Sequence, residues 1–272
     1  MKNLCQDLSD EYSELSDMLD TLTPAQWDAQ TAFYGWTPYD ELAHLCLFEQ
    51  LAVTAMTDLE RFRQAQTSIA ADMAAGAQIS GIARKMFAQD SGGTLNRSWR
   101  GWFTRVCDLL DPMDPKARLP WFGPDMSARS FATARLMETW AHGQDIYDAL
   151  RRRRAVTRRL RHIAHLGVST FGWTFINRGL PLPSAPPSVE LTLPDGTVWK
   201  WHETSSSGTV RGTAEDFCLV VTQRRHVADT ALAVDGEGAT GWMNIAQCFA
   251  GPPADGPAAG VRRVEYRTGQ PA

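Results

Sequence analysis

The stretch Leu136–Leu150, LMETWAHGQDIYDAL, decides how the first part of this chain is read. Its spacing predicts an amphipathic helix. Residues three and four apart share a helix face, so Arg135, Glu138, His142 and Asp145 fall in one polar stripe. Met137, Trp140, Ala141 and Ile146 point elsewhere on the same helix. A carboxylate and an imidazole one turn apart fit an exposed ion pair, a hydrogen-bonded core histidine, or half of a metal site.

The surrounding pattern places this helix last of four long ones. LCQDLSDEYSELSDMLDTL sets Leu4, Leu8, Tyr12, Leu15, Leu19 and Leu22 at helical steps. TPAQWDAQTAFYGW reads as a loop. TPYDELAHLCLFEQLAVTAMTDLERF opens a second helix, with Thr37 as N-cap, Pro38 at the first helical position, and Asp40 or Glu41 at the positive end of the dipole. SGGTLNRSWRGWFTRVCDLL is a third helix after a Gly-Gly break, and SARSFATARLMETWAHGQDIYDAL is the fourth. Four long helices with short connections predict a four-helix bundle. RHIAHLGVSTFGWTFINRG is expected to continue as a helix leading out of it.

The texture changes at LPLPSAPPS (180–188), whose prolines end any helix. SVELTLPDGTVWKWHE alternates around Asp195-Gly196 as a hairpin does, and SGTVRG supplies a possible third strand. TAEDFCLVVTQRR starts a helix capped by Thr213, DTALAVDG is strand-like, and ATGWMNIAQCFAG reads as a helix ending at Gly251. The expected division is therefore a helical domain over 1–180 and a small α+β domain over 181–272. The domain's Pro/Gly-rich tail is expected to be loose or draped over the surface.

A second imidazole bears on the opening stretch. His44 sits near the start of the second helix, in DELAHL. By itself it is as well read as a core histidine. Together, His44 from one helix and Glu138 plus His142 from another supply N, O and N donors across a bundle interior, where such proteins build metal sites. Three protein ligands with an open position mark a catalytic rather than a structural zinc site, although the same donors suit other divalent metals.

Two segments carry a family resemblance. GWTPYDELAHLCLFE resembles the W-T-x-x-D-x-x-A-H-L segment of DinB-like bundles. METWAHGQDIYDAL resembles the E-x-W-x-H-G-x-D segment of the actinobacterial branch, the mycothiol-dependent maleylpyruvate isomerase-like proteins. The likeness extends to the Pro-rich hinge and to a C-terminal domain similar to the sterol-carrier-like domain of that branch. It implies metal ligation by His44, Glu138 and His142, with Zn²⁺ as the preferred metal and mycothiol as co-substrate. It further implies a thiolate that adds to a small electrophile, giving isomerisation or S-transfer; water activation or a non-enzymatic binding role are the alternatives. Helical spacing offers Asp145 as a group holding a ligand histidine and Arg135 as one steering a carboxylate; a surface salt bridge fits both equally well.

Composition bounds the rest. The 272 residues carry 27 basic against 31 acidic side chains, which gives no reason to expect nucleic acid or a membrane as partner. The five cysteines form no C-x-x-C, and MKNLCQDLSDEYSEL lacks a signal's apolar core, so the expected location is the cytoplasm, as monomer or homodimer. Ten tryptophans point to a well-filled core or an apolar cleft. The run RRRRAVTRRLRH (151–162) is read as capping the fourth helix's C-terminal dipole, followed by a solvated face. His162 and His165 are set apart from the polar stripe, Cys46 is expected to be structural, and WKWHE is read as a strand packing Trp199 and Trp201 with His202 on the other face.

Overall fold

The computed structural model describes residues 1–266. The chain forms two compact units, one of Met1–Leu150 and one from Arg151 onward.

In the first unit, α1 (Lys2–Leu19) buries Leu4, Leu8, Tyr12, Leu15 and Leu19 along one stripe, as their spacing requires. A single turn, α2 (Pro24–Trp27), precedes α3 (Pro38–Thr57). The start of α3 is the capping box that the sequence advertises. The Thr37 side chain accepts from the Asp40 N–H, Asp40 accepts from the Thr37 N–H at 2.9 Å, and Pro38 occupies the first turn. Arg84 holds the other Asp40 oxygen at 2.5 Å. The helix does not run on to Phe62. It breaks at Asp58 (φ −151°, ψ 86°), whose side chain accepts from the Arg61 N–H and caps α4 (Leu59–Ala74). Both α4 and α5 (Ile79–Met86) are separate elements beyond the four long helices that the sequence pattern predicts.

Helix α6 (Gly92–Leu110) is capped by Ser91. Gly92 lies inside its first turn, because a Cβ there would sit 2.3 Å from the Trp27 indole. A two-strand ladder, β1 (Arg118–Leu119) with β2 (Met126–Ser127), leads to α7 (Ala128–Ala149), capped by Ser127. The four long helices close a ring: α1 and α3 each pack against both α6 and α7. Tyr12 stacks on Phe103 at 4.8 Å and meets the edge of Trp99 at 5.6 Å. Ser16 and Asn96 satisfy each other between α1 and α6, the Ser16 hydroxyl donating to Asn96 at 2.8 Å. Helix α7 is not amphipathic as expected. It buries residues on nearly every side from Ala128 to Ile146, including Arg135, His142 and Asp145, so its polar stripe lies inside the unit.

The second unit begins thirty residues before the expected 180/181 boundary. The predicted continuous helix breaks at Thr170 into α8 (Leu160–Ser169) and α9 (Phe171–Asn177), and α8 packs on α10 (Ala214–Val221) of the same unit. The sheet has the order β4-β3-β5-β6, where β3 is Ser188–Thr192, β4 Val198–Trp201, β5 Thr209–Thr213 and β6 Ala233–Asp235. Strands β3 and β4 are the hairpin around Gly196 (φ 80°), β3 and β5 run parallel, and β5 and β6 antiparallel. Thr213 caps α10 as predicted. Helix α11 (Glu237–Ile245) stops short of Gly251: Ala246 turns extended and the Cys248 N–H donates to the Val221 carbonyl at 3.0 Å. The tail is tied down where it is described. Ala254 N–H donates to Gln247, Arg262 to the Gln223 carbonyl, and Arg263 pairs with Asp229 at 2.7 Å. The tail's last residues, 267–272, lie outside the described residues.

The last turn of α7 itself holds no basic side chain. Three members of the arginine run that follows it have partners in the second unit: Arg158 pairs with Asp195 at 2.8 Å, Arg153 with Glu215 at 3.9 Å, and Arg161 lies over the Trp199 ring. Trp199 is buried, while the Trp201 indole N–H donates to His165 at 3.3 Å.

Gly167 sets the closeness of α8 and α10. A Cβ there would stand 2.9 Å from Val221 and 3.0 Å from Phe217, both buried. Gly→Ala inside a helix ordinarily stabilises by up to about 1 kcal/mol, but forced overpacking costs about 1–3 kcal/mol. Gly167→Ala is therefore expected to destabilise in urea denaturation followed by tryptophan fluorescence; a gain in stability would show that the two helices are free to separate.

Candidate metal centre

The capping box fixes where α3 begins, and this places Glu41 and His44 on its inner side in the first two turns. On α7 the four-residue spacing sets Glu138 and His142 over each other. The helices bring the three expected residues together. Glu138 Oε2 lies 3.3 Å from His142 Nε2 and 3.7 Å from His44 Nε2, and one donor atom from each of the three lies within 4.8 Å of the others. Zinc bonds of about 2.0–2.1 Å in a tetrahedron put donor atoms roughly 3.4 Å apart. The donor set and its spacing thus fit a tetrahedral divalent metal. His142 is buried, while the side chains of His44 and Glu138 keep 13% and 22% of their surface, which leaves one side of the cluster open to a further ligand.

Aromatic rings surround the donors. Trp36 lies parallel to His142 at 5.8 Å and also flanks His44, Phe33 meets His142 edge-on at 5.3 Å, and Phe48 covers His44 at 4.6 Å. Phe48 in turn touches Trp121 and Phe122. Burial works to raise the Glu138 carboxyl, but His142, then His44, and the charge of Arg135 outweigh it and hold Glu138 well below the ordinary range.

The other nitrogen of His142 is held too. Its Nδ1 lies 2.6 Å from Glu41 Oε2, and the second Glu41 oxygen accepts from the Thr31 hydroxyl at 3.1 Å. Glu41 is wholly buried. Asp145 is also buried and joins Glu41 and His142 in a second tight group of donor atoms. Sequence spacing offers Asp145 for the imidazole and sets Glu41 at the positive end of the α3 dipole, one turn from His44. The available signal is its place three residues before His44, with only Leu42 and Ala43 between them.

Arg135 is not in the open part of the cluster. It is buried, its guanidinium lies 4.9 Å from the centre of the Trp121 ring, and it faces Glu49 at 3.8 Å. Both Glu49 oxygens are buried without a hydrogen bond. Burial pushes the Glu49 carboxyl from 4.5 up to about 7, against the pull of Arg135 and of Tyr12. The folded chain therefore holds a proton that the unfolded chain has already lost between pH 4.5 and about 7. Stability falls as pH rises through that window, by at most about 3 kcal/mol. Glu49→Gln is expected to flatten this slope, as measured by urea midpoints at pH 5 and pH 7.5 against the parent. An unchanged slope would rule out Glu49 as its source. Cys46 is buried, and burial raises its thiol to about 12, so it stays an inert core group as expected.

Comparison with known proteins gives the chain's family. A family profile described as "Mycothiol maleylpyruvate isomerase N-terminal domain" matches residues 8–147, a span that includes every residue of the cluster. An uncharacterized protein of Mycobacterium tuberculosis, found in two strains, is 42% identical over 250 residues, covering 92% of this chain and 96% of the relative. The crystal structure of a mycothiol-dependent maleylpyruvate isomerase shares the fold, with a TM-score of 0.52 at 13% identity over 82% of this chain and 89% of that one. A mutant of that enzyme matches equally. The chain belongs to the mycothiol maleylpyruvate isomerase N-terminal domain family.

Proposed function

We propose that His44, Glu138 and His142 hold a divalent metal, zinc by preference, and that the protein is a thiol-dependent isomerase or S-transferase using mycothiol and a small electrophilic substrate. The observation that carries this reading is the convergence of two imidazoles and a carboxylate, open on one side, in a chain of this family. A metal bound there supplies the positive charge that keeps a thiol ionised at neutral pH. The chain's own groups do the rest. Trp36, Phe33 and Phe48 exclude water around the donors, so that charge acts in a medium of low polarity. The open side, at His44 and Glu138, admits the sulfur. The thiolate adds to an activated double bond, rotation follows, and elimination returns the thiol with the isomerised product; displacement of a leaving group gives S-transfer instead.

Arg135 and Asp145 enter this reading as positioning groups. Arg135 places its charge behind Glu138, and Asp145 sits beside the Glu41–His142 pair. We read the first unit as a DinB-like four-helix bundle and the second as a sterol-carrier-like domain. Five free cysteines fit a reducing, cytoplasmic setting.

The test is titration of the cobalt-substituted protein with mycothiol. A sulfur-to-cobalt charge-transfer band that saturates at one thiol per chain is expected. A cobalt spectrum indifferent to thiol would sink the thiol reading in favour of water activation, and failure to take up stoichiometric metal would sink both.

A further inference from the structure

We infer that Glu41 is a positioning residue for the metal centre: it holds His142 by Nδ1 so that Nε2 faces Glu138 and His44. The inference rests on the metal-site reading above and deepens it. A ligating imidazole rotates about its Cβ–Cγ bond and carries two nitrogens, so a site needs something to choose which one points inward. Here the choice is built. Glu41 Oε2 stands 2.6 Å from Nδ1, and the opposite nitrogen is the one that meets Glu138 at 3.3 Å.

Glu41 is itself fixed from two sides. Its backbone lies in the first turn of α3, behind the Thr37–Asp40 capping box. Its second oxygen takes the Thr31 hydroxyl, and that same hydroxyl oxygen accepts the Phe33 N–H at 3.2 Å. The Thr31 N–H donates to the Trp36 carbonyl at 2.7 Å, which closes the loop carrying the two aromatic rings that flank His142. One hydrogen-bonded loop thus supports the carboxylate and walls the imidazole that the carboxylate orients. A wholly buried carboxylate is costly unless it is paired, and its position supplies His142 and the Thr31 hydroxyl as partners. Outer partners of this kind set ligand orientation and basicity, and their loss typically lowers metal affinity by about 10–100-fold.

The experiment is zinc affinity by chelator competition for the parent, Glu41→Gln, Glu41→Leu and Thr31→Val, with proton spectra of the cobalt-loaded proteins. Glu41→Leu is expected to bind zinc about 10–100-fold more weakly. Its hyperfine-shifted, exchangeable His142 Nδ1–H signal should broaden or vanish as the proton opens to solvent. Glu41→Gln keeps an accepting oxygen and should recover the signal and part of the affinity. Thr31→Val, which touches no ligand, should lose less than Glu41→Leu and serves where the latter fails to fold. If the parent binds metal and Glu41→Leu keeps the parent's affinity and an unchanged Nδ1–H signal, or, where Glu41→Leu fails to fold, Glu41→Gln and Thr31→Val both keep the parent's full affinity, the inference is overturned while the metal site stands. A parent that takes up no metal overturns the site itself.

Discussion

His44→Ala is expected to abolish stoichiometric metal binding, with affinity falling by more than the roughly 100-fold that loss of an outer partner gives. The variant should still fold, because the Glu41–His142 bond and the capped start of α3 do not depend on the His44 ring. His142→Ala is expected to lose metal equally but to behave differently in denaturant. It removes the imidazole from a wholly buried carboxylate whose other oxygen keeps the Thr31 hydroxyl, and breaking a buried pair from one side costs about 3–5 kcal/mol. Elemental analysis after loading and desalting, run beside urea denaturation of the metal-free proteins, separates the two effects. One zinc per chain retained by His44→Ala at parental affinity would remove His44 from the ligand set. Equal stability of the two variants would mean that Glu41 finds another partner.

Trp99→Ala is expected to be the most damaging core substitution in the first unit. Trp99 is fully buried, lies edge-on to Tyr12 at 5.6 Å and edge-on to Phe103 at 5.1 Å. Truncation of a core tryptophan costs about 3–5 kcal/mol in lost transfer energy and residual cavity. Against a typical total of about 5–15 kcal/mol, such a loss leaves a substantial unfolded fraction on warming. Trp99→Phe should cost clearly less, since the indole N–H is buried without a hydrogen bond and its removal relieves that penalty. Denaturant midpoints of both variants check this ordering. A Trp99→Ala chain within 1 kcal/mol of the parent would show that α1 and α6 collapse into the gap.

What could be read from sequence was local. Thr37, Pro38 and Asp40 announce the start of α3 because capping chemistry involves neighbours in the chain, and that start sets the phase of His44. Glu138 and His142 share a face by helical geometry alone. The bond between His142 and Glu41 joins residues 101 apart, and no periodicity reports it. Whether α8 follows the first unit or the second was equally hidden. Its buried side of Leu160, Ile163, Ala164, Gly167 and Val168 would suit either neighbour, and the Pro-rich segment drew the boundary to the wrong side of it. The direction of Arg135 escaped for the same reason. Spacing puts it on the stripe, but only Trp121 and Glu49, from other parts of the chain, turn it away from the open side.

The three donors come from two helices, with His44 on α3 and Glu138 and His142 on α7. On the proposed site, metal is therefore also a removable crosslink between distant parts of the chain. Free zinc at a hundred times its dissociation constant adds about 2.7 kcal/mol to folding, a sizeable share of an ordinary domain's stability. Starvation for metal would then act first on how long the protein survives proteolysis and only second on how fast it turns over, so its abundance becomes a gauge of the metal supply.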